Sequence, residues 1–182
     1  MKTKLIVGLF ICLSFAQVIT PLSMILRREY VLKHGEQFKF KVAPVDPYDA
    51  FRGRYVALRF EEDYVLCAKE AKLNEGQEVY ALINIDNQAF AKFSGLAISR
   101  PAGSAYIKTR LRYVSGDKAY LELPIDRYYM EEKSAPLAEK IYRQHTQSGK
   151  EDAYVVIRIQ DGFAVIESLY VAGKRIEELV RK

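Results

Sequence analysis

In Pro44 to Phe60, PVDPYDAFRGRYVALRF, a turn-rich run leads directly into a short alternating segment. Its prolines lack a backbone donor and therefore end any preceding strand. Gly53 supplies the backbone freedom that a sharp corner or a bulge needs. Beyond the corner, Val56, Leu58 and Phe60 fall on one face, because successive side chains of a strand point to opposite sides. The stretch predicts a turn followed by a strand whose apolar face is buried.

Alternating segments of the same kind occupy much of the remaining chain. Glu36 to Val42 alternates polar and apolar residues, and three later pairs of alternating segments are each separated by turn residues. The last of these turns is Asp161-Gly162, a pair typical of two-residue hairpins. The pattern predicts a series of antiparallel β hairpins.

Two segments have helical spacing instead. Residues 134–147 are predicted to form a helix, because apolar residues recur there every three or four positions and Ser134 is a suitable N-terminal cap. A short helix is also expected within residues 174–182. We therefore predict a mainly β (α+β) fold, in which an N-terminal transmembrane helix precedes a mostly antiparallel β domain with one or two packed helices.

The N-terminal segment predicts a membrane partner. Leu5 to Leu26 contains no charged residue and ends on Arg27-Arg28, and about 20 apolar residues suffice for a helix to cross a bilayer. A cleavable signal peptide with a small-residue site at 14–16 is the alternative. Because the apolar run continues well past that site, we favour an uncleaved signal anchor in the lipid bilayer.

The predicted organisation is a membrane anchor with basic flanks over residues 1–28 and a globular domain over residues 29–182. Basic residues flank both ends of the apolar segment, so the charge difference that sets orientation is small. A short basic tail before a long translocated domain favours a single-pass protein of the bacterial inner (cytoplasmic) membrane. The domain is then expected on the periplasmic, extracytoplasmic side.

The charge distribution argues against nucleic-acid binding. The formal charge is +5, but residues 1–28 hold four of the 28 basic residues and no acidic residue, which leaves 24 basic against 23 acidic residues in the body. A nucleic-acid binder carries its excess positive charge on the folded surface. The two histidines and two cysteines have no metal-ligand spacing, and we expect no metal and no other cofactor.

The turn is also the first part of a candidate binding site. Its polar residues are Asp46, Asp49, Arg52, Gly53 and Tyr55. A guanidinium group binds a carboxylate or phosphate at two points, so Arg52 could hold an anionic partner group. Two structural alternatives stay open, namely that Arg52 pairs with Asp49 within the turn and that Tyr55 packs in a second layer.

The second part of the candidate site is the segment that contains Arg127, Tyr129 and Glu132. Its carboxylates could transfer protons in an enzyme. The alternative, which we favour, is a strand-to-helix junction, where acidic residues stabilise the helix N-terminus. We assign no catalytic residue.

Residues 53–60, GRYVALRF, resemble the signature of the GDYXXLXY protein family, a family of bacterial membrane-anchored proteins. Gly53, Tyr55 and Leu58 match the named positions, whereas Arg54 replaces the family's Asp and Phe60 replaces its final Tyr. Residues 125–132, IDRYYMEE, are similar to a downstream segment of the family. The resemblance covers most of the chain and implies an architecture but no reaction.

Two hypotheses for function follow. The first is a non-catalytic binding or accessory module that docks another membrane or envelope protein through the turn from Asp46 to Tyr55. The alternative is a hydrolase- or transferase-type enzyme with a pocket between residues 52–55 and 127–132. Whether Tyr55 and Arg127 share a pocket distinguishes the two.

Overall fold

A computed structural model describes residues 2–43, 55–67, 73–147 and 152–181. One long helix, α1, comes first, and strands form most of the remaining described chain. Two shorter helices pack on the strands. The elements in order are α1 (Lys2–His34), β1 (Glu36–Ala43), β2 (Tyr55–Ala57), β3 (Arg59–Phe60), β4 (Tyr64–Leu66), β5 (Glu78–Ile85), β6 (Ala91–Ala97), β7 (Tyr106–Ser115), β8 (Lys118–Glu122), β9 (Arg127–Tyr129), α2 (Ala135–Gln147), β10 (Ala153–Gln160), β11 (Phe163–Val171), β12 (Lys174–Arg175) and α3 (Ile176–Val180).

The strands of the described residues form two five-stranded sheets and a two-stranded ribbon. The first sheet has the order β12-β11-β10-β1-β3, the second has the order β4-β8-β7-β5-β6, and β2 and β9 form the ribbon. Every strand pair is antiparallel. The inward faces of both sheets and of the ribbon contribute to one apolar core. The predicted mainly β fold with an N-terminal helix and packed helices is confirmed.

The strand expected after Gly53 is divided between two partners. β2 pairs with β9, whereas β3 pairs with the end of β1, where Val42 lies opposite Phe60. Between them, the Leu58 N–H donates to the Asp126 carbonyl oxygen at 2.8 Å, which extends the register of the ribbon by one residue. The alternation survives the division, because Val56, Leu58 and Phe60 are all buried. The predicted core face is therefore correct, and the predicted single strand is wrong.

The β10–β11 hairpin turns as its sequence predicts. Asp161 and Gly162 have φ values of 52° and 76°, as a two-residue turn with both central residues left-handed requires. The Gly162 carbonyl oxygen accepts a hydrogen bond of 2.9 Å from the Lys108 N–H, which joins the turn to β7 of the other sheet. This turn thus links the two sheets.

Helix α1 is long and apolar enough to cross a membrane, and its apolar side chains between residues 6 and 26 lie exposed on the helix surface. It continues without a break past Arg28 to His34. Val31 in its C-terminal part is buried at 3% exposure. At Gly35 an added Cβ would lie 2.6 Å from the Val31 carbonyl oxygen and 3.1 Å from the Ile159 backbone nitrogen. The helix therefore meets β10 in close backbone contact.

An ionic network fixes this junction. Arg158 Nε donates to Glu167 Oε2 at 2.6 Å, and Arg158 Nη1 donates to the Gly35 carbonyl oxygen at 3.1 Å. Gln37 Nε2 donates to the same carboxylate oxygen at 3.1 Å. The hydrogen bond from Arg158 is the main reason that the pKa of Glu167 lies below its ordinary value. The carboxylate therefore favours the folded state while it is ionised.

The Glu167→Gln variant is expected to lose less stability than the wild type when the pH is lowered into the acid range. A carboxyl group whose folded-state pKa is lowered contributes stability above its unfolded-state pKa, and that contribution disappears as the pH falls through the folded-state value. The wild type should have a melting temperature about 2–4 °C above that of Glu167→Gln at neutral pH. The gap should shrink as the pH falls below about 4.3, the ordinary pKa of a glutamate, and close below the lowered folded-state pKa. Thermal melts of both proteins in neutral detergent measure the gap.

The control for this comparison is Glu75→Gln, since Glu75 is exposed. Its melting temperature should follow that of the wild type at each pH. A gap between wild type and Glu167→Gln that stays constant from neutral pH to acid would contradict the assigned role of the carboxylate.

Candidate functional site

The β2–β9 ribbon brings two of the predicted site segments together. In its register, Tyr55 lies opposite Tyr129 and Ala57 lies opposite Arg127. Because side chains alternate along both strands, these residues share one face of the ribbon. Neighbouring Val56 and Tyr128 lie on the other face, where Val56 is fully buried.

Tyr128 fixes the inner face of the ribbon to the C-terminal helix. Its hydroxyl donates to the Glu177 carboxylate, and its ring packs against the core. Burial, followed by the hydrogen bond with Glu177, raises the pKa of Tyr128 well above its ordinary value. Tyr128 therefore stays protonated and neutral, and its role is to hold the ribbon in place.

The outer face of the ribbon carries an arginine held by aromatic rings. The Cζ atom of Arg127 lies 5.1 Å from the centre of the Tyr55 ring, and the Tyr55 and Tyr129 ring centres are 5.5 Å apart. Arg127 Nε lies 3.6 Å from Asp126 Oδ2. The hydrogen bond with Tyr129, followed by the charge of Asp126, raises the pKa of Arg127. The guanidinium is thus a permanent, oriented cation, suited to a carboxylate or phosphate partner.

Four of the predicted site residues lie outside the described residues: Asp46, Asp49, Arg52 and Gly53. Of the others, Tyr55, Arg127 and Tyr129 are in mutual contact on the ribbon. Glu132 lies in the turn between β9 and α2. The Ser134 and Ala135 N–H groups donate to the Glu131 carbonyl oxygen at 3.0 Å, as expected for a strand-to-helix junction. The proposed site remains a prediction in which three members are adjacent.

A cavity of about 450 Å³ opens beside the ribbon, and Arg127 and Tyr129 form part of its wall. The end of α1 contributes Arg27 and Arg28, and β7 contributes Lys108. The remaining wall residues come from the segment before β9, the β10–β11 turn and β11. They are Pro124, Ile125, Asp126, Asp161, Gly162, Phe163, Ala164, Val165 and Ile166.

The charged side chains of the cavity wall are mainly basic. Four of its side chains are basic and two are acidic. Both acids have partners, because Asp161 pairs with Arg100 at 2.5 Å and Asp126 lies beside Arg127. Arg27 stacks on Phe163, with its Cζ atom 4.3 Å from the ring centre. Two guanidinium groups on aromatic rings, from a helix and a strand, therefore line the same cavity.

A comparison with protein-family models matches the GDYXXLXY protein family over residues 17–169. The chain belongs to the GDYXXLXY family. No curated protein and no solved structure matches it. The matched range includes both ribbon strands and Arg27 to Ile166 of the cavity wall, so the site lies within the part of the chain that defines this GDYXXLXY protein.

The cavity adds four residues to the site of the GDYXXLXY protein that sequence reasoning did not place there: Arg27, Arg28, Lys108 and Phe163. The sequence indicates only that the arginine pair flanks the anchor. Lys108 Nζ also pairs with Glu78 at 3.0 Å. The β10–β11 hairpin brings these residues to the ribbon through its contacts with α1 and with β7, and no local sequence pattern encodes those contacts.

The described residues of the GDYXXLXY protein contain no group of three or more His, Cys, Asp or Glu side chains that could hold a metal ion. The chemistry available in the described part of the site is cationic and aromatic. It supports recognition of an anionic group.

Proposed function

We propose that this GDYXXLXY protein is a non-catalytic binding module that is anchored in the bacterial inner membrane and docks another membrane or envelope protein. Helix α1, which is long and apolar enough to span a bilayer, supports the anchoring. A periplasmic location of the β domain agrees with the short basic N-terminal tail. Alkaline phosphatase fused to the C-terminus should be active in cells, since it requires the periplasm, and an inactive fusion would contradict this orientation.

The outward surface of the ribbon is the observation that supports docking most directly. Tyr129 is 58% exposed and the Arg127 side chain is 42% exposed, yet both are ordered by contacts with neighbouring groups. Tyrosine and arginine are enriched among the residues that dominate binding energy at protein interfaces. Because these side chains are already ordered, they lose less conformational entropy when a partner binds. A partner with an exposed carboxylate beside an apolar surface would fit.

Arg127→Ala/Tyr129→Ala is expected to lose the partner. Loss of two anchor residues at the centre of an interface should reduce recovery of the partner at least about tenfold. Crosslinking in intact cells, purification of the tagged full chain and quantitative mass spectrometry measure that recovery.

Arg112→Ala/Tyr113→Ala is the matched control, because both residues are exposed on β7. It should recover the same partner as the wild type. If the ribbon variant recovers every partner as well as this control does, the ribbon is not the docking surface.

An enzymatic function is the alternative, and the pairing of β2 with β9 favours it, since a pocket between the two segments requires them to be adjacent. The raised pKa values of Arg127 and Tyr128 keep both groups protonated, so neither is a base at neutral pH. Turnover of ester or phosphoester substrates by the purified chain, abolished in Glu132→Gln, would establish the enzyme and displace the docking proposal.

A further inference from the structure

We propose that the cavity between the end of α1 and the ribbon binds the phosphate of an anionic phospholipid headgroup. This inference rests on the proposed membrane anchoring, and the cavity shares Arg127 and Tyr129 with the docking surface. It assigns to the chain a second ligand, in the membrane that surrounds its own anchor.

The position of the cavity along α1 identifies the ligand. The apolar run from Leu5 to Leu26 is about 33 Å long as a helix, and the hydrocarbon core of a bilayer is about 30 Å thick. Arg27 is the first charged residue after that run. Its side chain and that of Arg28 therefore lie at the level of the lipid headgroups, and both line the cavity.

The contacts between α1 and the domain hold the cavity at that level. Arg27 stacks on Phe163, and Val31, one turn later, is buried. The Gly35 carbonyl oxygen accepts a hydrogen bond from Arg158. Because the helix and the β10–β11 hairpin are in close contact, the cavity faces the membrane surface next to the anchor.

The charge of the cavity selects an anion. The two acids of the wall are paired with Arg100 and Arg127, and Lys108 is paired with Glu78. Among the described residues, no carboxylate forms an ion pair with Arg27 or Arg28. Guanidinium groups bind phosphate oxygens at two points. Basic juxtamembrane pockets are suited to phosphorylated or anionic headgroups.

The size and lining of the cavity also fit a headgroup. A volume of about 450 Å³ lies within the range of ligand-binding cavities. Arg27 and Arg127 approach it from different elements, and each is oriented by an aromatic ring. A phosphate between them would contact two preoriented cations, while apolar residues of β11 line the wall beside it.

Fluorescent phosphatidylglycerol, titrated into the purified full chain in neutral detergent, tests the site. Arg27→Gln/Arg127→Gln should weaken binding roughly 10- to 30-fold. Arg110→Gln/Arg112→Gln removes the same charge from the exposed face of β7 and should leave binding within about twofold of wild type. Equal losses in the two variants would show a general charge effect and overturn the site. Near-UV circular dichroism establishes that both variants are folded.

Two further measurements distinguish a lipid phosphate from free phosphate, and the membrane anchoring from the lipid site. Inorganic phosphate that displaces the fluorescent lipid from the wild type at equal or lower concentration would assign the cavity to a soluble anion and overturn the lipid. Flotation of the full chain with phosphatidylcholine vesicles tests the anchor alone. A chain that does not float would overturn the anchoring and this inference together, whereas a chain that floats but binds phosphatidylglycerol no better than phosphatidylcholine would overturn only this inference.

Discussion

Gly162→Ala is expected to lower the free energy of unfolding by about 2–4 kcal/mol. The residue has φ of 76°, where a Cβ is strained, and that Cβ would lie 2.6 Å from Tyr106 Cε2 and 3.1 Å from Lys108 Cβ. Tyr106 is itself buried, so its ring cannot simply swing into solvent. Urea unfolding of the full chain in neutral detergent, followed by the near-UV circular dichroism of the tyrosines, measures the loss.

Gly116→Ala isolates the backbone contribution. Gly116 has φ of 63°, but an added Cβ there would meet no atom within 4 Å. The expected loss is about 1 kcal/mol, from backbone strain alone. The difference between the two variants therefore measures the crowding between the β10–β11 turn and β7. Equal losses would mean that the turn does not press on the second sheet.

The local parts of the fold could be predicted because alternation and turn chemistry act over a few residues. Phe38, Phe40 and Val42 lie buried on one face of β1 as their spacing predicts, and Asp161-Gly162 forms the expected turn. These features depend on the pleat of a strand and on allowed backbone angles. Neither requires knowledge of the partner strand.

Sheet membership could not be predicted in the same way. Residues 55–60 follow one alternating pattern of buried and exposed side chains, yet β2 joins the ribbon and β3 joins the first sheet. The pattern specifies which side chains are buried, but it does not specify which neighbouring strand forms the hydrogen bonds. The same limit applies to the site. Whether Tyr55 and Arg127 share a pocket is not encoded locally: the register of the ribbon places both on one face, and of the two only Arg127 lines the cavity. The contact of Arg27 with Phe163 joins residues 136 positions apart, and no motif marks it.

Leu58→Ala is expected to lower the free energy of unfolding by about 2–5 kcal/mol. Leu58 is 6% exposed and belongs to the apolar core, and its backbone N–H binds Asp126 where the chain changes sheets. Removing three buried carbon atoms leaves a cavity between the ribbon and the first sheet. Urea unfolding under the conditions used for Gly162→Ala gives the value. Leu66→Ala is the matched control, because the same atoms are removed from a residue that is 67% exposed, and it should cost less than about 0.5 kcal/mol.

The location of Leu58 also predicts which strands of the Leu58→Ala variant open first. Val56 and Tyr128 keep the inner face of the ribbon against the core, and Leu58 is the buried residue that follows β2 directly. We expect faster amide hydrogen exchange in β2 and β9 of Leu58→Ala, with the exchange of β10 and β11 changed only by the global loss of stability. Such local opening would disorder Arg127 and weaken docking by the ribbon more than lipid binding, since Arg27 is held independently by Phe163. Uniformly faster exchange in all four strands would show instead that Leu58 supports the whole core and has no particular role in positioning the site.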